Sequence, residues 1–238
     1  WLHFVSNSSS KKRVIQLGED PSRVFNIGSL GVDRLRNTSL LSRKLIEKKM
    51  KFKFNKKNLL ITYHPVTLEK NTSESQFKEI LSAVSKLKDT KLIFTYPNSD
   101  SYGRIIIRMI NKFVSSKKHN SIRFSSMGHT KYLSVLKNVD CILGNSSSGL
   151  IEAPSLKIPT INIGDRQEGR LKANSVIDTK PKRNLILKSI EKIYTKKFRK
   201  KLNSIYNAYE YKDSSNNAYK IIKKVLIPTE LKKSFHNI

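Results

Sequence analysis

The stretch Cys141-Ile142-Leu143-Gly144-Asn145-Ser146-Ser147-Ser148-Gly149-Leu150-Ile151-Glu152-Ala153-Pro154-Ser155-Leu156-Lys157-Ile158-Pro159-Thr160-Ile161-Asn162-Ile163-Gly164-Asp165-Arg166-Gln167-Glu168-Gly169-Arg170 decides the fold. An apolar run ends in Gly144, and a polar turn of Asn145 and three serines follows. Residues 150–156 then have a helical pattern, and a second apolar run, Pro159 to Ile163, closes on Gly164. Strand, turn, helix and strand in this order make one βαβ unit. The first N–H groups of such a helix lack intrahelical partners and face the mouth of the sheet, where an anion is favoured. Ser146 and Ser147 add hydroxyls there, and Glu152 lies just over one turn into the helix. Arg166 and Arg170 leave the end of the neighbouring strand, where ligands of open α/β sheets bind. Serine is also a common N-cap, so the turn alone is explained by capping. The turn, Glu152 and the arginines together predict a site for a phosphate-bearing ligand.

Working outward, the strands read as Leu59 to His64, Lys91 to Pro97, Ser121 to Ser126, Cys141 to Gly144, Pro159 to Ile163 and Ser175 to Asp178. Helices read as Glu74 to Leu87, Tyr102 to Ser115, Thr130 to Asn138 and Leu150 to Leu156, with two more at Asn184 to Tyr194 and Phe198 to Tyr209. This alternation predicts an α/β domain, a Rossmann-like parallel sheet with flanking helices. Before it, Leu2 to Val5 and Arg23 to Gly28 read as short strands, Lys12 to Leu17 as a helix, and Ser29 to Asp33 as a Gly-containing turn. Leu40 to Lys49 reads as a basic, solvated connector helix. A polar stretch from Tyr211 to Asn217 leads to a last helix, Ala218 to Leu226. The expected divisions are 1–33, the end of a truncated N-terminal domain with its crossover; 34–57, the connector; 58–210, the ligand-binding domain; and 211–238, a crossing helix and tail.

The chain has 238 residues, 37% of them hydrophobic, and a formal charge of +29. That charge raises the possibility of nucleic acid or an anionic membrane. Its lysines are dispersed through every helix, and aromatics do not interleave with them as a single-strand groove requires. No nucleic-acid or membrane partner is expected. The single cysteine, Cys141, rules out an internal disulfide and reads as a buried thiol. No run is long enough to span a bilayer, and no signal segment precedes the first strand, so a cytoplasmic location is expected. Neither a dinucleotide fingerprint, nor a P-loop, nor a metal-ligand cluster, nor a Ser-His-Asp set is present, so no cofactor or metal is expected.

Other strand ends carry suggestive groups. The first delivers Tyr63-His64-Pro65-Val66-Thr67, and an imidazole there can bind a phosphate oxygen or move a proton. The second delivers Asn98, a donor and acceptor that also suits a plain turn. The third ends at Ser126-Met127-Gly128.

The segments Gly144–Pro154 and Ile161–Arg170, with His64-Pro65-Val66-Thr67 and Pro97-Asn98-Ser99-Asp100, resemble the hydrolysing UDP-N-acetylglucosamine 2-epimerases, which serve the biosynthesis of sialic-acid-type sugars. The resemblance runs from His3 to about Leu226. The non-hydrolysing relatives have a Thr-Glu-Arg-Pro-Glu pattern where this chain has Arg166 to Arg170. The resemblance implies the C-terminal half of a GT-B-like two-domain fold. It further implies a UDP-sugar substrate, UDP-N-acetylglucosamine or a diacetamido relative, hydrolysed with inversion at C2 to the free sugar and UDP. By the same resemblance Asn98, Met127, Asn145, Ser146, Ser147, Glu152, Arg166 and Arg170 hold UDP. His64 and Arg166 are catalytic, and Glu152 accepts the ribose hydroxyls. The acid/base carboxylates belong to an N-terminal domain missing upstream of Trp1, so the fragment alone is expected to be inactive and the full-length protein to be a homo-oligomer. The family often has Tyr-Gly-Asp-Gly where this chain has Tyr211 to Ser214, which puts the path of the last crossing in doubt. A GT-B glycosyltransferase shares the fold and the ribose-binding Glu and is the alternative.

Overall fold

A computed structural model describes residues 1–66, 72–98, 102–117, 120–226, 232 and 234–237. Thr67, Ser99 and Asp100 lie outside the described residues. The chain runs β1 (His3–Val5), α1 (Ser8–Gln16), β2 (Val24–Asn26), α2 (Leu30–Arg36), α3 (Arg43–Met50) and β3 (Lys57–Thr62). There follow α4 (Ser73–Val84), β4 (Thr90–Thr95), α5 (Gly103–Ser116), β5 (Ser121–Phe124), α6 (His129–Asn138), β6 (Cys141–Gly144) and α7 (Ser148–Ile151). The rest is β7 (Thr160–Ile163), β8 (Val176–Thr179), α8 (Arg183–Ile193), α9 (Lys196–Lys201) and α10 (Ser214–Lys224). Two compact units form: Ser39–Tyr206, and Trp1–Thr38 with Asn207–Ile238.

The larger unit is a six-stranded sheet, all parallel, in the order β5-β4-β3-β6-β7-β8. Its central strands β3, β6 and β7 are buried on both faces, which is why Leu59-Leu60-Ile61, Ile142-Leu143 and Ile161–Ile163 read as continuous apolar runs. Helix α4 presents Phe77, Ile80, Ala83 and Val84 to the core, and α8 presents Ile186, Ile190 and Ile193. The order reverses between β3 and β6. After β3 the chain builds outward through β4 and β5, then returns to place β6 on the other side. A switch point of this kind opens a crevice at the carboxyl ends of the two strands it separates. Thr62 and Gly144 end those strands, paired in register.

In the smaller unit β1 and β2 pair in parallel. Ser29 to Asp33 is not a turn but the start of α2: Ser29 Oγ accepts from Gly31 N at 3.1 Å, and this cap outweighs the helix-weakening glycine. Asp33, buried on α2, accepts from Ser214 N, Ser215 N and Ser215 Oγ at 3.1, 3.2 and 2.5 Å. It thereby caps α10 from a distance. Those bonds, that of the Ser215 hydroxyl foremost, hold its carboxyl below the usual range. Only Ser214 of α10 is buried, and Tyr219 and Ile222 stay exposed.

Other sequence expectations are corrected. Residues 34–57 are not a separate solvated connector, because α3 buries Ile46 and Met50 and belongs to the larger unit. The stretch 211–238 is not separate either, since it folds with the first 38 residues through Asp33 and through Asn26 Nδ2, which donates to Tyr211 Oη at 2.6 Å. The helix expected to reach Tyr209 ends at Lys201, followed by a 3-10 turn, Leu202–Ser204, and an extended Ile205. Ile205 packs against the core, and a continued helix would give up that contact.

Gly144 shows how closely β3 and β6 approach. Its φ is +139°, and a Cβ there would lie 1.9 Å from the Thr62 carbonyl oxygen. Backbone cannot yield as a flexible side chain can, so Gly144→Ala should destabilise the larger unit by more than about 3 kcal/mol. Urea unfolding checks this; a loss below about 1 kcal/mol would show that the strand ends can part.

Candidate functional site

Four strand ends converge on one cavity of about 390 Å³. Thr62 ends β3 and His64 follows it, Thr95 ends β4 and Asn98 follows it, Ser126 to Gly128 follow β5, and Ser146 and Ser148 follow β6. His129 and Tyr132, from the first turn of α6, complete the wall.

Asn145 braces the site. Its backbone N donates to Thr62 O at 3.1 Å, adding a rung to the β3–β6 ladder. Its side chain then grips the next residue but one of β3's extension: His64 N donates to Asn145 Oδ1 at 2.7 Å, and Asn145 Nδ2 donates to His64 O at 2.8 Å. Asn145 is 1% exposed and His64 7%. The amide expected to hold a ligand therefore holds His64. The Asn145 carbonyl accepts from Arg166 Nη1 at 3.0 Å and Gln167 Nε2 at 2.8 Å, which anchors the guanidinium beside the serine turn. Gln167, buried, was not singled out in the sequence, where it reads as one more polar loop residue.

His64 Nδ1 accepts from Asn98 N at 3.1 Å. The neutral imidazole so held carries its proton on Nε2, which makes that nitrogen a donor. The contribution of Asn98 to this bond is its backbone, while its side chain is exposed at the cavity rim.

The helix after the serine turn is shorter than the sequence suggests. Helix α7 is one turn, and a separate 3-10 turn, Pro154–Leu156, follows it. A single turn supports little macrodipole, so the helix adds little charge at the serine turn. Ser146 and Ser147 have backbone N–H groups with no acceptor among the described residues, and the Ser146 hydroxyl lines the cavity. Gly149 permits close packing on β7: a Cβ would meet Thr160 Cγ2 at 2.5 Å, and Thr160 Oγ1 donates to Gly149 O at 2.7 Å.

Glu152 follows α7 and is not part of the cavity wall. Glu152 N donates to Ser148 O at 3.1 Å, and Tyr132 Oη donates to Ser148 Oγ at 2.8 Å. Glu152 Oε2 is buried with no hydrogen-bond partner among the described residues. Burial raises the Glu152 carboxyl above its ordinary range and pushes the Tyr132 phenol up to about 12. Tyr132 is another residue the sequence did not reveal, since an aromatic on an amphipathic helix reads as core. Arg170 is exposed and is not part of the cavity wall. Cys141 is fully buried, and burial pushes its thiol far above the ordinary range, as befits a structural residue. Among the described residues no group of His, Cys, Asp or Glu is placed to hold a metal ion, and no helix is long and apolar enough to cross a membrane.

The raised Glu152 carboxyl has a consequence for the free protein. A carboxyl raised on folding favours the fold below its unfolded value, ordinarily 4.5, and loses that contribution as pH rises through the folded value. Glu152→Gln should therefore raise Tm at pH 7 by about 2–4 °C. The gain should shrink toward zero as pH falls below 4.5. A Tm series across pH checks this, and a variant less stable than the native chain at pH 7 would show that the ionised carboxyl supports the fold.

Comparison with known proteins places this geometry. The family described as UDP-N-acetylglucosamine 2-epimerase matches residues 1–223. The chain is 40% identical over 235 residues to the GDP/UDP-N,N'-diacetylbacillosamine 2-epimerase (hydrolyzing) of Campylobacter jejuni, covering 98% of this chain and 61% of that protein. It is 40% identical over 223 residues to polysialic acid biosynthesis protein P7 of Escherichia coli, covering 93% and 56%. The chain thus spans about three fifths of the length of the relatives it matches. Among solved structures, the S. aureus MnaA–UDP complex superposes with a TM-score of 0.69 at 18% identity, covering 93% of this chain and 60% of that one. The Methanocaldococcus jannaschii UDP-GlcNAc 2-epimerase, solved with UDP-GlcNAc and UDP, gives 0.68 at 19%, covering 93% and 60%. These likenesses establish the fold as the C-terminal part of a GT-B-like architecture. A Rossmann-order sheet, a cavity at its switch point and a family match over nearly the whole chain agree: this protein belongs to the UDP-N-acetylglucosamine 2-epimerase family, in its hydrolysing branch.

Proposed function

We propose that this chain is the nucleotide-binding part of an enzyme that hydrolyses UDP-N-acetylglucosamine, or a UDP-2,4-diacetamido sugar, to the free 2-epimeric sugar and UDP for sialic-acid-like biosynthesis. The observation that carries the reading is the cavity at the β3–β6 switch point, where the strand ends and the serine turn bring together donors suited to a diphosphate; the buried carboxyl of Glu152 lies outside its wall. The uracil faces the Ser126–Gly128 segment, and the diphosphate faces Ser146, Ser147 and the Nε2 donor of His64. The Glu152 Oε2 accepts from the ribose hydroxyls. In the reaction a base removes the C2 proton while the C1–oxygen bond to UDP breaks, and water then adds across C1 and C2 from the face that inverts C2. The residues of this chain serve the departure of UDP by stabilising the charge that develops on the β-phosphate. The base is assigned to the remainder of the longer protein, and the whole is read as a homo-oligomeric cytoplasmic enzyme.

Calorimetry tests the binding half. The chain should bind UDP with the same affinity in the presence and absence of a chelator. Glu152→Gln should weaken UDP by roughly 1.5–3 kcal/mol, since a charge-assisted acceptor becomes a neutral amide. 2′-Deoxy-UDP should bind the native chain poorly and lose little further in the variant. A folded chain that ignores millimolar UDP contradicts the reading. The alternative, a GT-B glycosyltransferase, predicts that the longer protein releases no free sugar from its UDP-sugar in the absence of an acceptor.

Arg166 tests the catalytic half. Arg166→Lys retains the charge but loses the planar fork that spans the Asn145 carbonyl and the phosphate. In the longer protein it should lower kcat by at least about tenfold while changing KM less, because the contact strengthens as charge develops. If KM rises and kcat stays, Arg166 is a ground-state clamp.

A further inference from the structure

Two residues of the serine turn line the cavity, Ser146 and Ser148, while Ser147 between them does not. Each of the two hydroxyl oxygens already accepts a bond within the protein: Ser146 Oγ from Ser148 N at 3.4 Å, and Ser148 Oγ from Tyr132 Oη at 2.8 Å. A hydroxyl has one proton and two lone pairs, so an oxygen that accepts still has its proton to give. Accepting from behind also strengthens the bond it donates ahead. Tyr132 itself lines the cavity, and burial pushes its phenol up to about 12, so it stays a donor at neutral pH. Tyr132 belongs to α6 and Ser148 opens α7, so one hydrogen bond ties together the helices that follow β5 and β6.

The surroundings of Ser148 decide what its proton can meet. The backbone N–H groups of Ser146 and Ser147 lie in the same turn, and Nε2 of His64, a donor, belongs to the same cavity wall. Donors that converge on one space suit a group that only accepts and has many lone pairs, and a phosphate is such a group. We propose that Tyr132 is a positioning residue for the diphosphate: by donating to Ser148 Oγ it turns the Ser148 proton into the cavity, where Ser148 gives it to a phosphate oxygen of the bound nucleotide. The inference rests on the UDP reading above and deepens it, because it makes Ser148 a phosphate-binding hydroxyl and assigns its orientation to a side chain of another helix. Phenylalanine in place of Tyr132 would keep the ring in the wall and remove only the directing hydroxyl.

The experiment titrates the isotope-labelled native chain, Ser148→Ala, Tyr132→Phe and the double variant with UDP. Affinity is followed through the amide signals, and the phosphorus resonances of bound UDP are read at saturation. Ser148→Ala should weaken UDP about tenfold and Tyr132→Phe about three- to fivefold, as expected when one hydrogen bond to a charged group is lost or loosened. Both variants should move the same phosphorus resonance. In the Ser148→Ala background, Tyr132→Phe should change affinity by less than about twofold, because the hydroxyl it orients is gone. Affinity that falls while both phosphorus resonances stay in place would overturn the inference and leave Tyr132 and Ser148 as packing residues of the wall. Unchanged affinity in either single variant, or full additivity in the double, would overturn it as well. Should Tyr132→Phe lose the native amide spectrum, Ser148→Ala decides: a moved phosphorus resonance supports the inference, and an unmoved one refutes it. A native chain that ignores millimolar UDP overturns the UDP reading and this inference together. A native chain that binds UDP, beside variants that bind it equally well, overturns this inference alone.

Discussion

The side-chain amide of Asn145 closes on the backbone of His64 with two bonds, 2.7 and 2.8 Å long, inside the sheet's central seam. Both partners are almost free of solvent. Removing that amide would delete both bonds, at about 0.5–1.5 kcal/mol each. The cost explains why the first residues beyond β3 keep a fixed path where the strand's own ladder has ended. His64 then receives Asn98 N on Nδ1, which fixes its tautomer. On the other side the Asn145 carbonyl gathers Arg166 and Gln167. One buried residue thus sets the places of an imidazole, a guanidinium and the serine turn.

This arrangement divides polar work between backbone and side chains in a way that suits a departing diphosphate. Backbone donors lie at the serine turn, while the buried Glu152 Oε2 lies outside the cavity wall. An unpaired buried carboxyl oxygen is costly in the free protein, and a site that bears such a cost is expected where a ligand relieves it. The +29 charge is dispersed. The local donors matter more than that net charge, because screening over about 8–10 Å removes distant lysines from the balance.

Much of the fold could be read in the sequence, for a physical reason. Parallel strands covered on both faces must be apolar throughout, so Leu59–Ile61, Ile142-Leu143 and Ile161–Ile163 announced themselves, and Gly144 and Gly164 marked their ends. The strands differ from expectation by at most two residues at either end. Errors arose where a local signal had two meanings. Gly31 suggested a turn, but the capping hydroxyl of Ser29 made it a helix. Asn145 suggested a ligand contact, but its partner is a backbone 81 residues away, and no local pattern carries such a pairing. Tyr132 was hidden for the converse reason. Its ring fits an amphipathic helix, and only the third dimension brings its hydroxyl to Ser148. Arg166 and Glu152 stood out because a charged residue beside a Gly/Ser turn has few structural explanations.

The central claim is that a nucleoside diphosphate occupies the switch-point cavity, held by the strand ends that Asn145 ties together. Amide-resolved NMR of the isotope-labelled chain, titrated with UDP, tests it most directly. The account predicts that the perturbed backbone amides cluster at Asn98, Met127, Gly128, Ser146 and Ser148, which line that cavity, and at Ser147 between the last two. Perturbation centred instead on Lys51, Phe52 and Arg123, which line a separate cleft beside β5, would contradict it.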